Sequence, residues 1–351
     1  MSIDLIQHPE TPQIVSDSTT VDSLFARDLV QGAIEKGYNI NKLLLSVGIS
    51  PWLLNDPKGR ITFRQLADLS ISLSDLMNDE YFGLTEKPQR QGTFKFMCYS
   101  ALIADTAYEA MAIFCQYMNL YENTWSHKLT STNSLLSYQA IARSGFQLAH
   151  PIALEYLFST LYRTLCWMTN SQLPLSGVSL PIPKPKFPAR YRFMFYNAKI
   201  TFSQEQASLN FPADALNVEV VRDKRDVKEF LKTTHLALLT QTIPVEDITS
   251  RTRTFLERQL MRENSLPSIE HTSQHLGLHP QALRRKLAKE NTSFNDIKIE
   301  TRRDLAISMI NNTNYRVAEI SEKLNFSEPS AFVRAFKQWT GFTPKSYQAR
   351  L

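Results

Sequence analysis

Residues 317–344 read VAEISEKLNFSEPSAFVRAFKQWTGFTP, and the spacing within this stretch decides the fold of the C-terminal third. Phe332, Phe336 and Trp339 recur at i, i+4 and i+7, which predicts a helix with an apolar stripe that packs on a neighbour. Ser330, Arg334 and Lys337 fall on a different face, free to stay in water. Pro329 suits the first turn of this helix, where a missing N–H costs nothing, and Ser327 is the expected cap. The preceding segment, 316–324, places Val317, Ile320 and Leu324 at i, i+3 and i+7. Asn325-Phe326-Ser327 forms the turn between the two, and Gly341-Phe342-Thr343-Pro344 ends the second helix. Two short helices joined by so tight a turn read as a helix-turn-helix, with residues 315–340 as its extent.

About forty residues upstream the pattern recurs. Ile269, Leu276 and Leu278 precede a helix opened by Pro280, with Leu283 and Leu287 inward and Gln281, Arg284, Arg285 and Lys289 outward. Residues 266–290 are therefore a second helix-turn-helix. Between the units, 299–310 reads as a helix carrying Arg302, Arg303, Leu305, Ala306, Met309 and Ile310, long enough to hold them in fixed relation. Two reading helices so tied reach successive major grooves, roughly 34 Å apart.

The string from Val317-Ala318-Glu319-Ile320 through Leu324-Asn325-Phe326-Ser327-Glu328-Pro329-Ser330-Ala331-Phe332, then Arg334-Ala335-Phe336-Lys337 and Gly341-Phe342-Thr343-Pro344, resembles the signature of the AraC family of bacterial transcriptional regulators. Two positions depart from it: Asn325 and Asn291 stand where that family usually has Gly. Both call for positive φ, which Asn tolerates best among residues with a side chain. The resemblance implies binding to double-stranded operator DNA, a homodimer, and activation through RNA polymerase. Gln281, Arg284 and Arg285 in the first unit, with Ser330, Arg334 and Lys337 in the second, correspond to positions that face DNA in the family. Arg forks to guanine, Gln pairs with adenine, and Lys more often meets phosphate.

Charge follows the same division. From position 251 onward there are 17 Lys and Arg against 10 Asp and Glu, while the first 250 residues carry 22 against 24. The positive field thus belongs to the end that would meet phosphate, although a basic segment by itself is more often a solvated helical surface. No stretch approaches the ~18 apolar residues that a membrane helix needs. The first residues include Asp4, Glu10 and two prolines in place of a signal peptide, so a cytoplasmic protein with no membrane partner is expected. Cys98, Cys115 and Cys166 lie far apart without a paired motif, as buried reduced thiols do.

The fold class expected is α+β: a mixed helix and strand sensor domain followed by an all-α domain with two helix-turn-helix motifs. Helical spacing covers 21–36, 63–76, 106–120 and 151–168, and strands are expected at 124–130, 135–141, 177–181, 199–202 and 207–211. The segments Leu44-Leu45-Ser46-Val47-Gly48-Ile49, Pro57-Lys58-Gly59-Arg60-Ile61 and Leu209-Asn210-Phe211-Pro212-Ala213-Asp214-Ala215-Leu216 are similar to the arabinose-binding-type ligand domain of some AraC-family members. That resemblance implies a sensor for a small-molecule effector. Tyr99, Tyr117, Trp125, Tyr162 and Trp167 are aromatic candidates for its pocket, though aromatics at such spacing are usually core, and no ligand residue is assigned. The division expected is a tail at 1–20, a sensing and dimerisation domain at 21–232, a linker at 233–250 and a DNA-binding domain at 251–351.

No phosphate loop, nucleophile elbow or His-Glu-x-x-His is present, so the sequence predicts neither an enzyme nor a cofactor. His271, His275 and His279 recur every fourth residue, but the turn at 276–278 separates His279 from the other two, and no metal site is expected. A ligand-independent regulator, or a module using the helical domain for protein contacts, is the competing reading.

Overall fold

A computed structural model describes residues 19–120, 124–143, 150–185, 190–196, 198–240, 248–311 and 315–350. The N-terminal domain opens with β1 (Thr20–Asp22), α1 (Leu24–Leu29), α2 (Gln31–Glu35) and α3 (Ile40–Ser46). A 3-10 turn at Pro51–Asn55 leads to β2 (Arg60–Thr62), which pairs antiparallel with β1 through Val21 and Ile61. One helix over 21–36 is therefore a misreading. Apolar spacing there is genuine, but the backbone of Val21 and Asp22 is taken by β2, and the helical part divides at Val30. Gly32 explains the fixed position of α2: a Cβ there would come within 2.3 Å of the Gly83 backbone.

The next helix, α4 (Phe63–Met77), starts at a capping box in which Thr62 Oγ1 accepts from the Gln65 amide and Gln65 Oε1 accepts from the Thr62 amide. Phe63, Leu66, Leu69 and Leu73 line its buried face, and Asn78 ends it with φ +48°. Two further helices, α5 (Thr93–Ser100) and α6 (Ala107–Asn119), lead to the sheet. Strands β3 (Trp125–Ser131) and β4 (Leu135–Ala142) form a hairpin; then come α7 (Pro151–Met168), β5 (Gly177–Ser179), α8 (Arg190–Phe195), β6 (Ile200–Thr201) and β7 (Ala207–Pro212). The strand order is β3-β4-β7-β5-β6, antiparallel except for the β5/β6 pair. In the β4/β7 register Tyr138 faces Leu209 and Leu136 faces Phe211, four buried side chains turned toward α7. The Tyr138 ring lies 5.8 Å from Phe158 of α7. Burial of each such side chain contributes about 1.5–3 kcal/mol, which is what fastens the helix to the sheet.

The domain ends with α9 (Lys224–Lys232), capped by Asp223, and α10 (Thr234–Thr240). The linker expected at 233–250 thus begins with ordered helix. α10 packs on α4 and α7, and Arg163 of α7 donates to the carbonyl oxygens of Leu238 and Leu239. The described residues resume at Ile248, which opens the C-terminal helices.

The C-terminal domain is wholly helical among its described residues: α11 (Ile248–Glu263), α12 (Ile269–His275), α13 (Pro280–Lys289), α14 (Phe294–Asn311), α15 (Val317–Lys323), α16 (Pro329–Thr340) and α17 (Pro344–Gln348). Glu290 caps α11 from a distance, accepting from the amides of Ile248 and Thr249 at 3.0 and 2.9 Å. The two halves of the domain are packed differently. Ile248, Leu256, Leu283, Leu287 and Ile297 form a separate small core under the first unit. Leu305, Ile310, Ile320, Phe332, Phe336 and Tyr347 of the second are continuous with the core of the N-terminal domain.

Candidate DNA interface

Each unit holds a helix whose inner side is fixed and whose outer side is free. In α16, Phe332 and Phe336 are fully buried, while Phe326 lies 5.5 Å from Phe332 and 6.2 Å from Trp339. In α13, Leu283 and Leu287 are fully buried. The opposite faces carry Gln281, Arg284 and Arg285 on α13, and Ser330, Arg334 and Lys337 on α16; all six are exposed. The turns are built as their residues require: Gly277 has φ +68°, and Asn325 and Asn291 both have φ +56°. Asn at these positions therefore does what Gly would do, at a small steric cost.

One cap differs from expectation. Glu328, extended at φ −155°, is the residue before α16, and Ser327 lies one position too early to cap it. Glu328 instead organises the exposed face of α16: its carboxylate accepts from Ser330 and lies 3.4 Å from Arg334, and the Ser330 bond, then Arg334, hold its pKa below the usual range. Arg284 has a looser acidic neighbour, Glu270, at 3.9 Å. Both arginines thus sit beside carboxylates in exposed pairs that part at small cost.

Residues outside these exposed faces set the geometry; the sequence placed Arg302 and Arg303 on the connecting helix but gave them no contacts. Arg302 of α14 donates to the Leu324 and Asn325 carbonyls at 3.0 and 2.6 Å and lies over the Phe326 ring, clamping the turn of the second unit. Two residues beyond Arg302 on the same helix, Asp304 is completely buried. Its carboxylate meets Arg253 of α11 in a short contact, Arg303 at 3.1 Å and Arg60 of β2 at 3.7 Å, and accepts from Thr20 of β1. Burial alone would raise the Asp304 pKa, but Arg303, Arg253 and Arg60 outweigh it and hold the carboxyl well below the usual range. Arg60 shows the reverse balance, with burial lowering it to about 10 despite Asp304. The connecting helix expected at 299–310 is therefore longer and also the point where the two domains are tied.

Further contacts join the domains behind α16. Trp52 lies edge-on to Phe342 and Tyr347 at 5.2 and 5.9 Å and donates to the Arg350 carbonyl at 2.8 Å. Lys58 donates to the Gln338 carbonyl, and Asn311 donates to Gln65 Oε1, each at 3.3 Å. The exposed reading residues are not part of these contacts.

The histidine spacing has a packing explanation. His275 stacks on Phe255 at 4.0 Å and His271 meets the same ring edge-on at 5.8 Å, while His279 caps α13 by accepting from the Gln281 amide. The three cysteines are buried and free, and burial pushes the thiols up, Cys166 to about 11 and Cys115 to about 12. Three of the aromatic candidates for a pocket are engaged in packing. Tyr162 donates to the Leu173 carbonyl at 2.8 Å, Trp167 stacks on Phe230 at 4.1 Å, and Trp125 lies edge-on to Tyr81. None of Tyr99, Tyr117, Trp125, Tyr162 or Trp167 lines the apolar cavity between α4, α5, α7 and α10, whose aromatic walls are Tyr81, Phe94 and Tyr156.

A mixed helix and strand domain tied to a pair of helix-turn-helix units, each with an exposed basic face, defines a DNA-binding regulator. Comparison with known proteins agrees: residues 37–220 match the family described as the arabinose-binding domain of AraC transcription regulators, and residues 272–350 match a helix-turn-helix domain family. The chain belongs to the AraC family of transcription regulators, a family of regulators and not of enzymes. It is 24% identical over 325 residues to an ornithine utilization regulator of Pseudomonas aeruginosa, covering 92% of this chain and 95% of that protein. An uncharacterized HTH-type transcriptional regulator of Mycobacterium tuberculosis is 37% identical over 93 residues, 26% of this chain and 27% of that one. Among solved structures, the transcriptional regulator CdpR from Pseudomonas aeruginosa is 18% identical, with 93% of this chain and 98% of that chain covered and a TM-score of 0.31. A ligand-binding type of N-terminal domain fits regulation by a small-molecule effector. Among the described residues no helix is long and apolar enough to cross a membrane.

Proposed function

We propose that this chain is a cytoplasmic, homodimeric activator that reads one operator half-site with both helix-turn-helix units and acts by recruiting RNA polymerase in response to its effector. The observation that carries the reading is the pair of exposed faces, Gln281, Arg284 and Arg285 on α13 and Ser330, Arg334 and Lys337 on α16, each backed by buried leucines or phenylalanines. A face so fixed enters a groove without rearrangement, and each arginine can fork to a guanine. The Asp304 contacts, which join β1 and β2 to α11 and α14, offer the effector signal a route between the two ends of the chain.

The test is to map the genomic sites bound by the full chain and by a variant with all six residues changed to alanine. The wild type is expected to occupy a limited set of promoters, and the variant to lose them while keeping its melting temperature. Retention of the same sites by the variant would contradict the assignment of these faces to DNA. A wild type whose binding hardly changes with salt would favour a protein-contact module instead.

A further inference from the structure

A cavity of roughly 270 Å³ in the N-terminal domain lies between α4, α5, α7 and α10. Its inner walls are apolar, with Met97, Met118, Leu157, Leu161 and Leu238, and Phe94 beside them. Polar groups gather at the mouth, next to the partly exposed Ile71. We propose that this cavity is a ligand site for a small primary amine with an apolar body of aromatic size; the inference deepens the effector-responsive reading and rests on it for its regulatory meaning.

The chemistry at the mouth selects the head group. Two carboxylates, Asp75 and Glu80, border the cavity, against one basic side chain, Lys95. The Lys95 ammonium sits over the ring of Phe96, a residue outside the lining. Both Glu80 oxygens are occupied, by the Gln89 side chain at 2.8 Å and by the amides of Gly92 and Phe94 at 2.8 and 2.9 Å, so Glu80 shapes the loop and adds negative field. Asp75 differs. One of its oxygens accepts from Gln91 at 2.6 Å, and the other makes no hydrogen bond among the described residues. His235 of α10 faces the same space, likewise with no hydrogen bond among the described residues, and burial lowers its pKa to about 4. It is then a neutral ring with a lone pair to offer. A carboxylate oxygen and a neutral imidazole are acceptors, and an ammonium group brings three donors and no acceptor. A carboxylate ligand would meet like charge, and an alcohol would forgo the charged contact.

The place of the cavity in the fold gives such a ligand a route to the DNA-binding domain. His235, Tyr156, Thr160 and Leu238 also line a smaller space of about 60 Å³ that reaches Val21 of β1 and Phe63 of α4. Thr20, next to Val21, donates to Asp304, and Thr62, next to Phe63, lies on the strand that carries Arg60. The helix that closes the cavity, α10, is also the last before the passage to α11.

Calorimetric titration of the full chain at pH 7 with phenethylamine, phenethyl alcohol and phenylpropionate tests the assignment. The amine is expected to bind about tenfold tighter than the alcohol, and the acid weakest. Asp75→Asn, at an exposed position, is expected to lower amine affinity by about tenfold and to change alcohol affinity by less than about twofold. Ile71→Trp, which fills the mouth, is expected to abolish binding of amine and alcohol. Equal binding of acid and amine, an amine affinity untouched by Asp75→Asn, or no binding of any probe would overturn the proposal. Asp75-dependent binding that leaves operator affinity unchanged supports the site and contradicts the effector-responsive reading. Absence of binding in a chain that still recognises its operator contradicts the site alone.

Discussion

Asp304→Asn probes the tie between the two domains most sharply. The wild-type carboxylate has no exposed surface and is shared by Arg253, Arg303 and Arg60, with Thr20 donating to it. Asparagine keeps the shape and removes the charge, so Arg253 is left in a buried site with its nearest counter-charge gone. Removing one partner from a buried ion pair costs about 3–5 kcal/mol, because the other charge stays desolvated. For a domain of roughly a hundred residues each kcal/mol shifts the melting temperature by about 4–8 °C, so the transition of the C-terminal domain should fall by at least about 12 °C. The assay is scanning calorimetry of both proteins across pH. Since Asp304 titrates below its unfolded value of about 3.9, its contribution is complete above that value and is lost as pH falls toward the folded pKa. The gap between wild type and variant should therefore be steady from pH 6 to 8 and narrow below about pH 4. Glu257, raised chiefly by burial, works in the opposite sense and is common to both proteins. Introducing Arg60→Met as well should recover part of the loss, since one of the stranded cations is then gone. A shift of less than about 3 °C, or a gap that widens in acid, would refute the reasoning.

Three further outcomes are expected. Lys337→Ala should weaken binding similarly across DNA sequences and reduce the slope of log affinity against log salt by about one, as measured by titration at several salt concentrations; an unchanged slope removes Lys337 from phosphate contact. Asn325→Gly should be neutral or mildly stabilising, whereas Asn325→Val should cost about 1 kcal/mol or more, because φ +56° strains a β-branched residue; equal melting temperatures would contradict this. Glu328→Gln, which frees Arg334 and removes a negative charge beside the reading face, should raise operator affinity about threefold or more, and more so at low salt; weaker binding would show that Glu328 is needed to aim Arg334.

Local features were legible in the sequence and long-range ones were not. Apolar spacing placed α7 over its full extent and α4 and α6 to within a residue at each end, and alternation with turn residues found all five strands of the larger sheet. The left-handed Asn325 and Asn291 followed from the family resemblance, since both stand where the family usually has Gly. The contacts that bind the domains escaped because they join residues far apart in the chain: Thr20 to Asp304, and Trp52 to Arg350. A buried aspartate looks in sequence like any polar residue of a solvated helix, and Trp52 gives no sign of the surface it will cover. Helix α10 was missed because its seven residues are too few to show a period among polar neighbours. The cavity was missed for a different reason. Its lining comes from α4, α5, α7 and α10 together, so no single segment carries its pattern.

The central claim is that α13 and α16 read different parts of a single site. Selection of bound sequences from a random DNA pool, run on wild type, Arg284→Ala and Arg334→Ala, tests it most directly. Each substitution should relax base preference at only its own groove, with the affected positions about 10 base pairs apart and each costing roughly 1–3 kcal/mol. Relaxation at the same base pairs in both variants, or at none, would contradict it.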